Sequence, residues 1–336
     1  MILIDAIYID NGVGTKVLLD YLITNLEKTE KHVYYLLDER LKGNIQSIKP
    51  TNVLKFQKSD FSKRIDFYLH HKSDFTTVLC FANIPPVIKL DAKVYTYFHH
   101  RLYVERPPGL PIFYTGMLYL KRVILNILKK NSDYWVVQTD LIKEKLSSKY
   151  QIPNRKILLL PFYVNLKGEI NQDRLKGQYI YVSNGVPHKN HIRLIEAFSN
   201  FYKKYRQGKL ILTVSEKFNN IQKLILLKQQ QGVPIENIGF LPQSLLRKYY
   251  LQSEFLIFPS LAESFGMGLV EAIENGCKVI GADLPYIYEV CEPSLTFNPL
   301  SVDEIADSFR ISFFEEMKPS KIKISNKIEE LIMLLS

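Results

Sequence analysis

The sequence predicts an α/β protein made of two halves with parallel sheets, and three observations support this class. Short apolar runs typical of strands alternate with helical patterns from the first residues to about residue 300. The alternation stops once, in the stretch LLLPFYVNLKGEINQDRLKG (158–177), which mixes proline, glycine, asparagine and charged residues as linkers do. The length of 336 residues is enough for two domains of ordinary size. We therefore predict a first domain over 1–164 and a second domain over 165–336.

The first half begins with a strand, ILIDAIYI, which is followed by a helix with apolar side chains at helical spacing. Five further runs, rich in β-branched and aromatic residues, predict strands: HVYYLLD, NVLKF, TVLCFA, KVYTYFH and YWVVQT. A helix through DLIKEKLSSKY follows the last of these strands, and we expect Asp140 to be its N-cap.

In the second half the alternation resumes after the linker. The predicted strands are YIYVSN, LILTVS, NIGFL, EFLIFP and KVIGA, and the predicted helices are NHIRLIEAFSNFYKKY, NIQKLILLKQQQ, LLRKYYLQ and LVEAIENG. The tail from 301 onward predicts two more helices, VDEIADSFRISFFEE and IKISNKIEELIMLL.

The net charge of +10 is concentrated in the first half. Residues 1–165 carry 24 Lys and Arg against 15 Asp and Glu, whereas the rest of the chain carries 20 against 19. A basic half indicates an anionic partner, such as nucleic acid, phospholipid headgroups or a phosphorylated substrate, although lysine-rich surfaces also serve solubility alone. Three cysteines are too few for a disulfide framework, and neither a membrane span nor a signal peptide is expected. A cytoplasmic location is the simplest interpretation.

Two loops that follow predicted strands, one with glycines and one with a lysine, are candidates for binding a phosphate group. In DNGVGTK, Gly12 and Gly14 lie between a strand and a helix, where backbone N–H groups can approach an anion. The third glycine of a dinucleotide-binding fingerprint is missing, so a tight turn explains the loop equally well. In YVSNGVPHKNH, Lys189 directly precedes a helix with Asn190 at its cap position, a setting that suits a diphosphate, although loop lysines are often only solvated.

The stretch EFLIFPSLAESFGMGLVEAIENGCKVIGA indicates a site at the end of a strand. Gly266 and Gly268 allow backbone N–H groups to face the crevice at the carboxyl edge of the sheet. Glu263 lies in the loop, and Glu271 is expected in the first turn of the next helix. Two carboxylates at this place suit binding of vicinal hydroxyls on a ribose and on a sugar. An ordinary strand–helix unit with a capped helix explains Glu271, but it does not explain the whole stretch from Glu263 to Glu271.

His99 ends a predicted strand of the first half and stands beside His100 and Arg101 in YFHHRLY. A lone histidine is more often structural, but this grouping makes a functional role equally plausible.

Together, the residues ESFGMGLVE with AIENGCKVIGAD, PHKNHIRLIEAF and GFLPQSLLRKYYLQSEFLIFPS resemble glycosyltransferase family 4. The match is dense from about 179 to 300 and thinner in the first half, where NGVGTKVLLDYL and YFHHRLY are similar to the family's glycine loop and strand-end histidine. The resemblance implies the GT-B fold, with two Rossmann-like α/β/α domains facing across a cleft, the last helix packing back on the first domain, and retaining sugar transfer from a nucleotide diphosphate. It also implies that the first domain receives the acceptor and the second binds the donor.

The resemblance implies roles for single residues. Glu271 would hold the ribose hydroxyls, Glu263 the sugar hydroxyls, and Lys189 the diphosphate, assisted by the loop at Gly12. His99 would line the pocket near the reacting carbon. The remaining expected donor-binding residues lie in the same loops: Gly14, Ser183, Asn184, Phe265, Gly266, Met267, Gly268 and Leu269.

Two features qualify this resemblance. Many family members place an arginine six residues before the lysine, but this position is Ser183 here, so the contact with the leaving group is in question. No Asp-x-Asp motif occurs in the chain, so no metal ligand and no cofactor are predicted.

We therefore expect a retaining glycosyltransferase that uses a UDP- or GDP-sugar and a lipid-linked or polysaccharide acceptor of bacterial cell-surface glycans such as O-antigen, capsule or exopolysaccharide. It is expected to be peripheral on the inner face of the membrane, which the basic first half and the amphipathic segment IFYTGMLYLKRVILNILKK (112–130) favour. An ordinary half-buried helix explains that segment equally well. The alternative is a catalytically silent nucleotide-binding GT-B subunit of a larger assembly. A nucleic-acid partner is not expected, because no recognition motif occurs.

Overall fold

The structure, a computed structural model, describes residues 1–10, 14–106, 114–166 and 174–336. These residues form two compact units. The first unit takes in 1–105, 114–164 and 325–336, and the second takes in the rest of the described residues. Each unit has its own parallel sheet flanked by helices, so the predicted α/β class with two parallel sheets is confirmed.

In the first unit, the described residues form a seven-stranded parallel sheet in the order β3-β2-β1-β4-β5-β6-β7. Its strands are β1 (Ile2–Ala6), β2 (Val33–Asp38), β3 (Val53–Gln57), β4 (Thr77–Cys80), β5 (Lys93–Tyr97), β6 (Tyr134–Val137) and β7 (Ile157–Leu159). The connecting helices are α1 (Thr15–Leu26), α2 (Phe61–His70), α3 (Tyr114–Leu128) and α4 (Asp140–Tyr150). Because β1 lies between β2 and β4, the strand order reverses at β1 and β4, and this point is where open α/β sheets bind ligands.

The second unit repeats this plan, with six parallel strands among its described residues in the order β10-β9-β8-β11-β12-β14. The strands are β8 (Leu175–Tyr181), β9 (Lys209–Leu212), β10 (Ile235–Asn237), β11 (Ser253–Phe258), β12 (Lys278–Ala282) and β14 (Leu295–Phe297). The helices are α5 (His191–Tyr205), α6 (Asn219–Gln230), α7 (Gln243–Gln252), α8 (Met267–Glu274), α9 (Pro285–Val290) and α10 (Val302–Phe314). The strand order reverses at β8 and β11. A short antiparallel pair, β13 (Cys291–Glu292) with β15 (Lys321–Ile322), completes the unit.

Aromatic side chains fill much of the core of the second unit. The ring of Tyr179 stacks on Phe255 at 5.1 Å and meets Phe309 edge-on at 4.7 Å, which joins β8 and β11 to α10. The Tyr179 hydroxyl is paired with Ser312, so this buried polar atom is satisfied.

The last helix, α11 (Ile328–Leu334), packs against α1 in the first unit. The Asn326 side chain donates hydrogen bonds to the Tyr21 hydroxyl at 3.1 Å and to the Tyr163 carbonyl at 2.6 Å. Leu331 and Leu335 are fully buried. The chain therefore returns to its first unit after it has built the second.

Several sequence predictions of local structure were wrong. The predicted linker, 158–177, overlaps the end of β7 and the start of β8, and β7 is too short at three residues to show periodicity. The second predicted tail helix begins only at Ile328, because Lys321–Ile322 pair with β13. The predicted strand NIGFL is replaced by β10, which ends at Asn237.

The start of α4 also differs from the prediction. Thr139, not Asp140, is the N-cap, since its side chain accepts a hydrogen bond from the Ile142 amide at 3.3 Å. Asp140 is the first helical residue, where its negative charge still suits the helix dipole.

Candidate active site

Two loops meet at the carboxyl edge of the second sheet, where β8 and β11 are neighbours. The loop after β8 ends in a 3-10 turn, Pro187–Lys189, and the loop after β11 carries Glu263. The Lys189 ammonium donates a hydrogen bond to the Glu263 carboxylate, with an Nζ–Oε1 distance of 2.5 Å. The side chains retain exposures of 20% and 10%, so the pair is only partly withdrawn from water. The fold thus brings a cation and an anion together at the point where open α/β sheets in general bind ligands.

Backbone groups hold these two loops against each other. The Leu261 amide donates to the His188 carbonyl at 2.7 Å, and the Tyr181 hydroxyl donates to the Lys189 carbonyl at 3.0 Å. The buried Asn190 amide donates to the carbonyls of Pro259 (3.1 Å) and Pro299 (2.7 Å). Asn190 stands at the N-cap position of α5 but makes no capping hydrogen bond, contrary to its predicted role. Its side chain instead joins the two loops.

The charges of this edge are set by burial and by Lys189. Burial raises the pKa of Glu263, but the Lys189 ammonium outweighs it, and the net pKa lies below the usual range. Burial lowers the pKa of His188 to about 4 and that of His191 to about 3, and Lys189 acts in the same direction. Near neutral pH the edge therefore holds one carboxylate, one ammonium and two neutral imidazoles.

The loop before α8 has the geometry that its glycines predict. Gly266 has a φ of 81°, a left-handed conformation that favours glycine, and α8 starts at the next residue. Phe265 before it is buried, with 3% of its surface exposed. The predicted residues Met267, Gly268 and Leu269 form the first turn of α8.

Glu271 differs from its prediction in position and in environment. It is the fifth residue of α8, in the second turn rather than the first, and is 7% exposed. Its carboxylate accepts hydrogen bonds from Gln243 Nε2 at 2.7 Å and from the Tyr250 hydroxyl at 2.9 Å. Burial raises the pKa of Glu271, and these two hydrogen bonds oppose the shift. The α7 residues Gln243 and Tyr250 were not identified from the sequence, because their periodic, amphipathic setting is that of any half-buried helix.

Ser183 and Asn184 lie in the loop after β8, which ends at Tyr181. The Ser183 amide donates to the Thr213 hydroxyl at 2.9 Å, and the Ser183 hydroxyl donates to the Asn184 carbonyl at 3.2 Å. Ser183 is 8% exposed. The position at which the resemblance leads one to expect an arginine is therefore occupied by a small hydroxyl bound within its own loops.

His99 and Gly14 belong to the first unit. His99 follows β5 at the carboxyl edge of the first sheet and contacts Asn83, which sequence reasoning missed. The one sequence signal for Asn83 was the turn-forming composition of the stretch NIPP (83–86), which follows β4. Gly14 has a φ of 86° and precedes α1. Gly12 lies outside the described residues.

Within the described part of the chain, no group of three or more His, Cys, Asp or Glu side chains is arranged to hold a metal ion. In the same residues, no helix combines the length and the apolar character of a membrane span.

Comparison with known proteins identifies the second unit. Residues 166–325 match the family model described as "Glycosyl transferases group 1". The chain is 24% identical over 191 residues to the O-antigen chain mannosyltransferase RfbU of Salmonella typhimurium strain LT2, an alignment that covers 55% of this chain and 52% of that protein. It is 27% identical over 124 residues to the serotype-specific mannosyltransferase WbdA of Escherichia coli, covering 35% and 15%. The chain thus aligns with about half of the first relative and with much less of the second.

Solved structures share the whole fold at low sequence identity. Sucrose-phosphate synthase from Thermosynechococcus elongatus superimposes with a TM-score of 0.72 at 16% identity, covering 92% of this chain and 88% of that one. The lipopolysaccharide outer core galactosyltransferase WaaB gives 0.61 at 14% identity, covering 93% and 89%. The fold is therefore GT-B, and the similarity to group 1 glycosyltransferases lies in residues 166–325.

Proposed function

We propose that the chain is a retaining glycosyltransferase of family 4 that moves a hexose-type sugar from a nucleotide-diphosphate donor to a lipid-linked or polysaccharide acceptor in bacterial cell-surface glycan synthesis. The group 1 domain supports sugar transfer, and two relatives named as O-antigen or serotype-specific mannosyltransferases support the glycan class. The second unit would bind the donor, and the first unit, which holds most of the excess positive charge, would receive the acceptor.

The observation that carries the proposal is the Lys189–Glu263 pair at the strand-order reversal of the second sheet. When the donor binds, the ammonium of Lys189 faces the diphosphate, where negative charge grows as the sugar leaves. Glu263 accepts hydrogen bonds from sugar hydroxyls, and the backbone of 265–269 lines the same edge. Glu271, oriented by Gln243 and Tyr250, has acceptor capacity left for the ribose hydroxyls, because a carboxylate has about four lone-pair sites.

The transfer would take place on one face of the sugar. The bond between the anomeric carbon and the diphosphate oxygen breaks, and a bond from an acceptor hydroxyl to the same carbon forms on the same side. The acceptor proton passes to the departing diphosphate oxygen, so configuration is retained and no external base is consumed. Lys189 and backbone N–H groups stabilise the departing charge, and the proposed mechanism uses no metal.

The proposed membrane contact lies on α3. Tyr119, Leu120 and Ile127 are exposed by 60% or more, and Lys121 and Lys130 are exposed beside them. This combination fits an anionic membrane surface. Arg122 and Lys129 of the same segment are bound within the protein: the Arg122 guanidinium donates to the Leu102 carbonyl at 2.6 Å, and Lys129 donates to the Tyr150 carbonyl at 2.6 Å.

Donor binding and turnover test the proposal in sequence. A thermal-shift screen against UDP-, GDP- and ADP-sugars identifies the nucleotide, with GDP-mannose and UDP-glucose as first probes. The best stabiliser is then assayed for hydrolysis and for transfer to lipid-linked glycan. We expect a raised melting temperature and slow hydrolysis with one nucleotide class. Stabilisation without any turnover would instead favour the catalytically silent subunit, and no stabilisation by any nucleotide sugar would contradict both.

A further inference from the structure

A cavity of about 290 Å³ opens at the carboxyl edge of the second sheet, in segments that follow β11, β12 and β14. All of its lining residues belong to the second unit: Leu261, Asp283, Leu284, Asn298, Pro299 and Leu300. Leu261 stands two residues before Glu263, so the cavity shares a loop with the proposed donor site. Pockets for drug-sized ligands measure about 300–1,000 Å³, and this cavity therefore suits one small ring better than a whole nucleotide.

The walls of this cavity are held by hydrogen bonds within the protein. The buried amino group of Asn190 donates to the carbonyls of Pro259 and Pro299, which joins the segment after β14 to the loop after β11. The Asp283 amide donates to the Phe297 carbonyl at 2.7 Å, which joins the segments after β12 and β14. The cavity is therefore shaped in the absence of any ligand.

Two polar side chains of the lining have atoms left for a ligand. One carboxylate oxygen of Asp283, Oδ1, accepts a hydrogen bond from the Tyr288 hydroxyl at 2.6 Å. The Asn298 Oδ1 atom accepts from the Leu300 backbone N–H at 3.0 Å, and since only an amide oxygen can accept, this bond also identifies the amino group of Asn298. Asp283 Oδ2 and Asn298 Nδ2 have no hydrogen-bond partner among the described residues. The cavity thus offers one charged acceptor and one donor.

The charge of the lining selects the class of ligand. Asp283 is the one charged side chain among the described lining residues, and its carboxylate repels phosphate groups. A neutral ligand with hydroxyl groups fits, because a hydroxyl can donate to the carboxylate and a neighbouring oxygen can accept from the Asn298 amino group. Three leucines and a proline supply apolar surface for the C–H groups of a ring, and one of them, Leu300, is 41% exposed.

We propose that this cavity is a subsite for one pyranose ring of the acceptor glycan, with Asp283 accepting from a ring hydroxyl and Asn298 donating to an adjacent oxygen. The subsite would be a contact for the glycan in addition to that proposed for the first unit. The donor sugar is assigned to Glu263, so the ring in this cavity is a second one. Its assignment to the acceptor rests on the function proposed above, whereas binding of a free pyranose does not.

Binding of a free pyranose can be measured without any nucleotide. Saturation-transfer difference NMR with methyl α-mannoside, α-glucoside and α-galactoside detects weak binding to the full chain. We expect saturation transfer to at least one of them, with a Kd on the order of 1 mM, as is usual for so small a ligand. Asp283→Asn retains the shape of the side chain but removes its charge, and it should weaken this binding about tenfold. Absence of saturation transfer to all three glycosides would overturn the proposal.

Two control variants separate the cavity from its surroundings. Asp303→Asn removes the same charge from the first turn of α10, which is near in sequence but does not line the cavity, and it should retain binding. Glu263→Gln changes the carboxylate assigned to the donor sugar and should also retain binding of the free glycoside. Equal weakening by Asp303→Asn and Asp283→Asn would show a general effect of charge. Binding lost in Glu263→Gln but kept in Asp283→Asn would assign the ring to the donor site, and either result contradicts the proposal.

A further variant and a competitor test the neutral, apolar character of the cavity. Leu300→Ser removes apolar surface at a partly exposed position, so the fold should be retained in a thermal melt, and glycoside binding should weaken several-fold. The dication of 1,6-diaminohexane should not displace the glycoside at equal concentration. Displacement by this amine, or full binding by Leu300→Ser, would mean that the carboxylate attracts ligands through charge alone and would overturn the proposal.

The role in transfer is tested by kinetics. Asp283→Asn should raise KM for the acceptor glycan about tenfold and leave kcat and KM for the donor unchanged, and an unchanged acceptor KM would contradict the assignment to the acceptor. If a pyranose binds in the cavity while no nucleotide sugar is turned over, the subsite stands and the proposed function fails. Turnover without pyranose binding would give the opposite result.

Discussion

The carboxyl edges of the two sheets share one topology but use charge in opposite ways. In the second unit, Lys189 and Glu263 form an ion pair that remains partly in contact with water. In the first unit, His99 at the edge is neutral, because burial lowers its pKa to about 3. The ion pair between Arg64 and Asp5 is 1% exposed on both sides, and Arg64 also donates to two carbonyls of the loop after β4, those of Ile84 and Pro85. A charged pair at the edge can exchange partners with a ligand, whereas a buried pair cannot do so without leaving a charge unpaired. The strand order thus determines where a site lies. The burial of the charged side chains determines whether they are free to bind a ligand or instead stabilise the loops at the sheet edge.

The largest expected effect comes from breaking the buried pair. Arg64→Ala leaves Asp5 buried and unpaired, and we expect it to lower the free energy of unfolding by about 3–5 kcal/mol. Trp135, the single tryptophan of the chain, lies buried in β6, so its fluorescence during denaturant unfolding reports on the first unit. Lys189→Met is the matched control, since it removes a cation from the partly exposed pair and should cost about 1 kcal/mol or less. Because Lys189 lies in the second unit, the unfolding of this variant is followed by far-UV circular dichroism, which reports on both units. Equal losses for the two variants would remove the proposed distinction between the edges.

The next effect concerns catalysis at the partly exposed pair, Lys189 with Glu263. Lys189→Ala removes the charge that faces the leaving diphosphate, so we expect kcat to fall by about two orders of magnitude or more, with a smaller change in donor affinity. Steady-state kinetics and donor titration separate the two quantities. A defect confined to donor affinity would assign Lys189 to ground-state binding instead. In the same variant the pKa of Glu263 should rise, because the ammonium that lowers it is gone.

A variant of Glu271 tests whether this buried carboxylate of the second unit binds the nucleotide. Glu271→Gln should weaken binding of both donor and free nucleotide by about tenfold or more, because a charge-assisted hydrogen bond to the ribose is worth about 1.5–3 kcal/mol. The pKa of Glu271 is raised, so in the unmodified chain affinity should decrease as pH falls through that pKa, and the variant should lose this dependence. Calorimetric titration at several pH values measures both effects. Unchanged nucleotide affinity combined with a lower melting temperature would make Glu271 a structural partner of Gln243 and Tyr250.

The smallest expected effect lies on the surface of the first unit. Lys121→Glu together with Lys130→Glu should reduce co-sedimentation with anionic liposomes, since each basic residue near such a surface contributes about 1 kcal/mol before screening. Lys28→Glu with Lys58→Glu changes the net charge of the same unit equally and serves as the control. If both pairs reduce binding to the same extent, the attraction is a general effect of charge and α3 has no special part in it.

The sequence predicts the topology of these edges well but the contacts within them poorly. The strand–helix alternation is a local signal, and it predicted both sheets. The start of α8 was predicted about two residues too late, since the helix begins at Met267 and not near Leu269. Glu271 was expected in an open crevice, but α7 covers it, and no local pattern records which helix packs over which side chain. Asn190 has the residue type and position of an N-cap, yet its side-chain oxygen accepts from the Arg193 guanidinium instead of a helix N–H. Its amino group donates to two carbonyls that are distant in sequence.

The first unit illustrates the same limit. Arg64 lies in α2, a helix that the sequence analysis did not identify, and a charged side chain inside a polar-looking segment predicts exposure rather than burial. Only its pairing with Asp5, 59 residues earlier, makes that burial favourable. His99 was identified from its place at a strand end, but its contact with Asn83 was not, because no motif singled out Asn83.

The return of α11 to the first unit has a consequence during synthesis. Residues 165–324 emerge from the ribosome before 325–336, although the latter complete the unit whose strands were made first. At about 5–20 residues per second, the first unit waits roughly ten to thirty seconds for the helix that covers α1. The second unit, in contrast, is contiguous in sequence through 174–324 and can close as soon as it is translated. The earliest part of the chain is thus the last to be finished, and during that interval the apolar face of α1 is the surface that most needs protection from other nascent chains.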